Sequence, residues 1–230
     1  MTGEMRLLPE YAVNSDHTVV PLQFDVHQGY FVVFRTETSL RKPSAKKNFP
    51  ERRQIATLTA PWTVSFDPAW GGPEQTVFEQ LTDWSLHTDP GIRYYSGTAV
   101  YRQTFDKPVT ESQQLYLDLG RVKNMARVRL NGRDLGVVWT APWTVDITKV
   151  IKTTENQLEI EVVNLWPNRL IGDEQLPDDG IRNRQWPEWL KDGTPRTSGR
   201  YTFTTHRHFT KDSPLLESGL LGPVTIWEVE

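Results

Sequence analysis

The sequence predicts an all-β fold, an antiparallel sandwich or jelly roll, and two observations carry that prediction. Apolar and polar residues alternate with a period of two over most of the chain, which is typical of strands with one buried face. Gly, Pro, Asn and Asp separate these short segments, and long amphipathic helical stretches are missing. The predicted strands are residues 19–24, 30–36, 54–58, 62–66, 98–105, 114–119, 125–130, 135–139, 157–163, 200–205 and 224–229.

The best-defined element is a hairpin centred on Asn131 and Gly132. This pair supplies the positive φ angles that a tight two-residue turn requires. Apolar residues alternate with polar ones on both sides of the turn. Residues 125–130 and 135–139 are therefore predicted to pair directly.

The distribution of predicted strands and of strand-breaking residues divides the chain into three predicted segments. Residues 51–230 hold most of the strands and are predicted to form the sandwich. Residues 37–50 are polar, basic and proline-bearing, which is typical of a linker. Residues 1–36 contain two predicted strands but are too few to bury a core of their own. We expect those strands to complete a sheet whose other strands lie elsewhere.

Composition excludes several classes of function. A net charge of −3 gives no reason to expect nucleic acid as a partner, and no apolar run approaches the roughly 20 residues that cross a bilayer. The first residues lack the apolar core of a secretion signal, which leaves a cytoplasmic protein or a leader upstream of this start as alternatives. Without cysteine there are no disulfides or thiolate metal sites. No cofactor is predicted, although a structural calcium ion would leave almost no linear signature.

Nine tryptophans are unusual in a chain of 230 residues. In a β domain they either fill the core or offer flat apolar faces on which sugar rings stack. We expect about two thirds of them in the core. The remainder are candidates for an exposed binding platform.

Residues 166–199 are predicted to be a long irregular connection with a functional role, because its aromatic residues argue against disorder. Glycoside hydrolysis needs two carboxylates, but their abundance here does not identify a catalytic pair. We expect the acidic side chains to cap turns or to pair with Arg169, Arg182, Arg184 and Arg196.

Two other kinds of active site are disfavoured. Ser96 and Ser198 lack the leading glycine of a nucleophile elbow. His206 and His208 are spaced to share one strand face, as zinc ligands sometimes do, but no third ligand is suggested by position. A polar face at a strand end is the preferred interpretation of that pair. The sequence thus predicts no catalytic residue and no metal ligand.

Several ordered motifs resemble a known family. The segments WTVSFDPAWGGP (62–73) and DWSLHTDPGIRYYSGTAVYRQTF (83–105) resemble the C-terminal sandwich of glycoside hydrolase family 106, the α-L-rhamnosidase family. The segments GRVKNMARVRLNGRDLGVVWTAPWTVDIT (120–148) and NQLEIEVVNLWPNRLIGD (156–173) resemble the galactose-binding-like sugar-binding domain of family 2 glycosidases. These motifs cover most of residues 53–229.

The resemblance implies a galactose-binding-like jelly roll over residues 51–230, preceded in 1–36 by the terminal strands of another β domain. In the family the catalytic acid and base lie in an upstream (β/α)-barrel, so no catalytic residue is carried over to this chain. One departure is Glu155, where related domains often have Gly. By analogy, the parent enzyme is expected in the periplasm or outside the cell.

These observations predict a non-catalytic carbohydrate-binding or architectural β-sandwich of a rhamnosidase-like glycoside hydrolase involved in polysaccharide degradation. One alternative is a glycosidase that is active in itself or that contributes loop residues to a glycosidase active site. Another is an interdomain brace without a ligand. The expected partners are a carbohydrate, such as a rhamnose-containing oligosaccharide, and the upstream catalytic barrel of the parent chain.

The predicted carbohydrate-binding residues combine flat aromatic faces with hydrogen-bonding groups. They are Trp139, Trp143, Asn168, Arg169, Arg182, Trp186 and Trp189. For Asn164 and Asn168, ties to the loop backbone are the preferred alternative to sugar contacts. For Trp186 and Trp189, packing onto the sandwich is an equally weighted alternative.

Overall fold

The computed structural model describes residues 5–24, 28–35 and 46–229. Its strands are β1 (Ala12–Val13), β2 (Thr18–Val19), β3 (Arg52–Thr57), β4 (Trp62–Ser65), β5 (Thr76–Phe78), β6 (Thr98–Phe105), β7 (Leu115–Asp118), β8 (Arg121–Lys123), β9 (Met125–Leu130), β10 (Arg133–Val138), β11 (Thr144–Asp146), β12 (Asn156–Val163), β13 (Gly219–Gly222) and β14 (Thr225–Val229). Its α-helices are α1 (Pro90–Arg93), α2 (Pro167–Asp173) and α3 (Glu188–Lys191), and 3-10 turns lie at Pro68–Trp70 and Trp84–Leu86.

Two antiparallel sheets form the sandwich. One has six strands in the order β10-β9-β12-β6-β4-β5, and the other has four in the order β11-β7-β14-β3. Strands β13 and β8 form a small separate pair, as do β1 and β2. The predicted all-β class is confirmed.

The central pair of the larger sheet shows why alternation produces this fold. Strand β12 pairs with β6 along its whole length, and it buries Leu158, Ile160 and Val162. These side chains belong to one core cluster together with Leu117 and Ile226 from the smaller sheet. A period of two therefore places one face of each sheet in a shared core.

The predicted hairpin is confirmed. Leu130 and Arg133 are partners in the ladder, and between them Asn131 and Gly132 have φ angles of 53° and 76°. A second left-handed position is Glu155, with φ 52°. The glycine that the family resemblance implies there is explained by this conformation, which costs a residue with a β-carbon more than it costs glycine.

Aromatic rings fill one part of the core. Trp84 is fully buried, and its indole N–H donates to the hydroxyl of Tyr101 over 2.6 Å. Burial raises the pKa of the Tyr101 phenol. Of the nine tryptophans, only Trp62 and Trp84 are fully buried, while Trp70 and Trp143 pack partly exposed against the core. The expectation of two thirds in the core was too high, because more of the indoles lie on connections than in strands.

The structure differs from the predicted elements in several segments. Residues 30–35 and 200–205 form no strand, and residue 36 lies outside the described residues. Of the predicted strand 19–24, Val19 alone lies in a strand, β2. Residues 167–173 form the helix α2 instead of an irregular loop. Pro167 fits the first turn of this helix, where a missing N–H costs nothing.

Near the N-terminus, the buried side chain of Asn48 holds the first described segment. Its amide donates to the carbonyl oxygens of Glu10 and Pro21 over 2.6 and 3.1 Å, and its Oδ1 accepts from the Glu10 N–H over 2.8 Å. The division into domains at residues 36 and 50 stays a prediction. No helix in the described part of the chain is long and apolar enough to cross a membrane.

Candidate functional site

The most irregular part of the molecule is the chain between β12 and β13, residues 164–218, which we call the long connection. It leaves the sandwich at Asn164, whose amide donates to the carbonyl of Tyr95 over 2.8 Å and whose Oδ1 accepts from the N–H of Gly97 over 2.9 Å. The start of the connection is therefore fixed to the segment that leads into the first residue of β6.

Asn168 ties the two ends of the long connection together. Its amide donates to the carbonyl of Leu216 and to the hydroxyl of Ser218 over 2.7 and 2.9 Å, and its Oδ1 accepts from the Leu216 N–H over 2.8 Å. The side chain is 1% exposed. Asn168 was predicted to contact sugar, but the structure instead gives it the backbone role that was the preferred alternative.

Arg169 is likewise placed in the interior and not on the surface. It is 4% exposed, its Nε lies 3.2 Å from Oδ1 of Asp173, and its guanidinium carbon lies 4.6 Å from the ring centre of Tyr201. Burial lowers the pKa of Arg169. Asp173 in turn accepts from the backbone N–H groups of Tyr201 and Thr202 over 3.0 and 2.6 Å. The pair thus holds α2 against residues 201–202.

A second layer of the long connection is organised around Asp179. Its carboxylate accepts two hydrogen bonds from Arg196, over 2.5 and 2.7 Å, and one from the hydroxyl of Ser198. These partners, Arg196 first, lower the pKa of Asp179. The carbonyl of Asp179 accepts from the indole N–H of Trp189 over 2.9 Å, and Arg196 lies 4.9 Å from the centre of that indole.

Neighbouring acids are also paired. Arg200 donates to Glu174 over 2.9 Å, and Arg207 lies 2.5 Å from Asp178. The hydrogen bond from the N–H of Gly180 contributes most to the lowered pKa of Asp178, followed by that from Arg207. The predicted pairing of loop acids with arginines is confirmed for Arg169, Arg182 and Arg196. Arg200 and Arg207 are partners that sequence reasoning missed.

These pairs border a shallow cavity, which we call the loop recess. It encloses about 600 Å³, counting the part open to solvent, and its lining includes Asp178, Arg196, Phe203, His206, Arg207 and His208. Charged and hydroxyl groups dominate the wall, and Phe203 contributes an apolar face. Such a combination suits a ligand that has both hydroxyl groups and apolar faces.

In each of the two predicted tryptophan pairs, one indole is exposed and the other is packed against the protein. Trp186 is 50% exposed and its ring centre lies 6.0 Å from that of Phe203, so it stands next to the recess. Trp189 is tied to Asp179 and lies 5.6 Å from Phe203. Between β10 and β11, Trp139 is 64% exposed, whereas Trp143 packs against the core.

Arg182 is a predicted binding residue, whereas His206 and His208 were considered only as possible zinc ligands. Arg182 is exposed and donates to the carbonyl of Asp178 over 2.7 Å, which leaves it at the edge of the recess. His206 and His208 have ring centres 4.9 Å apart but do not lie on a strand, so the predicted strand face was wrong. Among the described residues, no group of three His, Cys, Asp or Glu side chains is arranged to hold a metal ion.

A family model supports the fold assignment. The model described as glycosyl hydrolase 2 galactose-binding domain-like matches residues 70–206. The chain belongs to this family. The galactose-binding-like sandwich predicted from the motifs is thereby confirmed, and the match includes all seven predicted site residues.

Two longer proteins are similar to this galactose-binding-like chain. A Formosa agariphila protein, provisionally named a β-glucuronidase, is 45% identical over 180 residues, which are 75% of this chain and 16% of that protein. The solved structure of a rhamnosidase from Novosphingobium sp. PP1Y is 34% identical with a TM-score of 0.78, and the match covers 95% of this chain and 19% of that one. This chain therefore spans less than a fifth of the length of either protein.

Proposed function

We propose that this chain is a non-catalytic carbohydrate-binding β-sandwich of a family 106, rhamnosidase-like glycoside hydrolase that degrades polysaccharide. Its membership of a galactose-binding-like family supports a sugar as the ligand. The observation that carries the proposal is the half-exposed indole of Trp186 beside a recess walled by charged groups. An indole face stacks on the apolar face of a sugar ring, and the polar wall accepts its hydroxyl groups.

The ion pairs of the recess favour binding over catalysis. A glycosidase needs one carboxylic acid that stays protonated near neutral pH, which requires a raised pKa. Hydrogen bonds from Gly180 and Arg196 instead lower the pKa values of Asp178 and Asp179. These two carboxylates are suited to accept hydrogen bonds and to hold the loop, and not to protonate a leaving group.

The partner and the cellular setting belong to the same proposal. We expect the bound carbohydrate to contain rhamnose, and the parent enzyme to carry its catalytic barrel upstream of this chain. A periplasmic or extracellular location would follow from the polysaccharide substrate. The rhamnosidase similar to this chain supports the first expectation.

Calorimetric titration with rhamnose-containing oligosaccharides tests the proposal. Replacing Trp186 by Ala should weaken binding about fivefold, because one stacked ring contributes roughly 1 kcal/mol. Trp189→Ala is the matched structural control and should lower the melting temperature, since Trp189 is tied to Asp179. Unchanged affinity in Trp186→Ala, or turnover of an aryl α-L-rhamnoside by the chain itself, would contradict the proposal.

A further inference from the structure

A second exposed aromatic group lies where the long connection leaves the sandwich. Trp166 is 50% exposed, and its ring centre lies 5.1 Å from that of Trp70 with 69° between the planes. The two indoles come from segments about a hundred residues apart in sequence and meet edge to face. The edge of one ring therefore packs on the face of the other, and half of Trp166 remains accessible to solvent.

A tyrosine from a third segment lies beside the turn that carries Trp70. The phenol of Tyr201 packs directly on Gly71, so closely that a β-carbon on Gly71 would come within 2.6 Å of it. Gly71 follows Trp70 and has φ 83°, which also favours glycine. We call Trp70, Trp166 and Tyr201 the aromatic corner.

The aromatic corner is held rigidly, although it is partly exposed. Trp166 immediately precedes α2, where the hydroxyl of Ser96 donates to the carbonyl of Leu165 over 2.8 Å and accepts from the N–H of Arg169 over 3.0 Å. The side chain of Asp67 caps the turn that carries Trp70. A ligand would thus meet rings that are already ordered, which lowers the entropic cost of binding.

A buried ion pair supports the base of the corner. The guanidinium of Arg169 faces the ring of Tyr201. The Nε of Arg169 lies 3.2 Å from Oδ1 of Asp173, and both side chains are buried. The phenol of Tyr201 is 40% exposed, and its hydroxyl group both donates and accepts, so it is the polar group that a ligand reaches here.

We propose that the aromatic corner is a second carbohydrate subsite, which stacks a pyranose ring of an oligosaccharide on Trp166. The inference rests on the proposed function only in that the ligand is a carbohydrate. The ring's apolar C–H face lies on the indole, its edge meets Trp70, and its hydroxyl groups reach toward the hydroxyl of Tyr201.

The size of the corner favours a sugar over a protein partner. A large aromatic side chain buries roughly 150–250 Å² when it is fully covered, so three partly exposed rings offer a few hundred Å² at most. A stable protein interface needs about 800 Å² on each partner. One or two sugar rings fit the smaller area.

Three variants of the chain test the inference in calorimetric titrations with the same rhamnose-containing oligosaccharides as the probe. Trp166→Ala should weaken binding about fivefold and leave the melting temperature unchanged. Leu165→Ala is the matched control, because Leu165 is 51% exposed and adjacent but has no ring to stack. It should bind like the unaltered chain.

Trp186→Ala separates this inference from the proposed function. If it weakens binding while Trp166→Ala binds normally, the aromatic corner is not a subsite and the proposed function stands. If Trp166→Ala and Leu165→Ala weaken binding equally, the effect is not stacking and the inference is wrong. A large drop in melting temperature for Trp166→Ala would make the corner a structural feature. If the unaltered chain binds none of the probes, both proposals fail.

Discussion

The β-sandwich and the long connection are stabilised by different physical effects. Fully buried apolar side chains such as Val128, Ile160 and Leu117 hold the two sheets together. The long connection instead depends on paired charges and amide ties, among them Asp179–Arg196 and Asn168–Leu216. A loop can therefore be ordered largely by polar ties, and the lowered pKa values of Asp178 and Asp179 should make that order depend on protonation.

The largest effect should come from the aromatic core. Trp84→Ala removes a fully buried indole and its hydrogen bond to Tyr101, and should lower the free energy of unfolding by about 3–5 kcal/mol. Trp186→Ala, its exposed counterpart, should change that free energy by about 0.5 kcal/mol or less. Urea unfolding measures both. Equal losses of unfolding free energy in Trp84→Ala and Trp186→Ala would contradict the distinction between the sandwich core and the long connection.

A smaller effect should follow when the long connection loses a charge. Asp179→Asn weakens two hydrogen bonds from Arg196, whose side chain is mostly buried, and should loosen residues 176–205 by about 1–3 kcal/mol. Amide hydrogen exchange should speed up in that segment and not in β6 or β12. Faster exchange in these strands as well would mean that the connection and the sandwich unfold together.

Acid should loosen the long connection through two of its carboxylates. The folded-state pKa values of Asp178 and Asp179 lie below the unfolded value, so both acids stabilise the long connection above about pH 4. That contribution is lost as the pH falls through the folded values. The indole N–H of Trp189 donates to the backbone carbonyl of Asp179, so its signal should change in this range as the neighbouring carboxylate is protonated. The change should be much smaller in Asp179→Asn, and an equal change there would exclude this carboxylate as its cause.

The smallest predicted effect is a stabilisation. Glu155→Gly should raise the free energy of unfolding by up to about 1 kcal/mol, because Glu155 has a left-handed backbone conformation. Glu155→Ala keeps the β-carbon and should give no gain. Thermal unfolding distinguishes the two, and a gain with Ala would point to the charge of Glu155 instead of its backbone.

The same contrast explains what the sequence predicted and what it missed. Alternation and the Asn131-Gly132 turn are local signals, and they were sufficient for most strands and for the hairpin. The tie between Asn168 and Leu216 joins residues 48 positions apart and has no local signal. Helix α2 was missed because it spans only two turns. Its one clue was Pro167, which is typical of a first helical turn.

The candidate site was predicted in composition but not in arrangement. The sequence indicated Trp186 and Trp189 together, yet only the fold decides that one indole is exposed and the other is tied to Asp179. Trp166 was overlooked as a platform because its companions, Trp70 and Tyr201, come from distant segments. Residues that meet only through tertiary structure leave no spacing pattern to detect.

The most direct test of carbohydrate binding is a nuclear magnetic resonance titration that follows the indole N–H signals of the nine tryptophans as a rhamnose-containing oligosaccharide is added. Single Trp→Phe variants assign the signals. Our account predicts shifts for the exposed Trp186 and Trp166, with the signals of the buried Trp62 and Trp84 unchanged. If the signals of Trp186 and Trp166 both stay unmoved at millimolar probe, the chain does not bind carbohydrate in the way proposed.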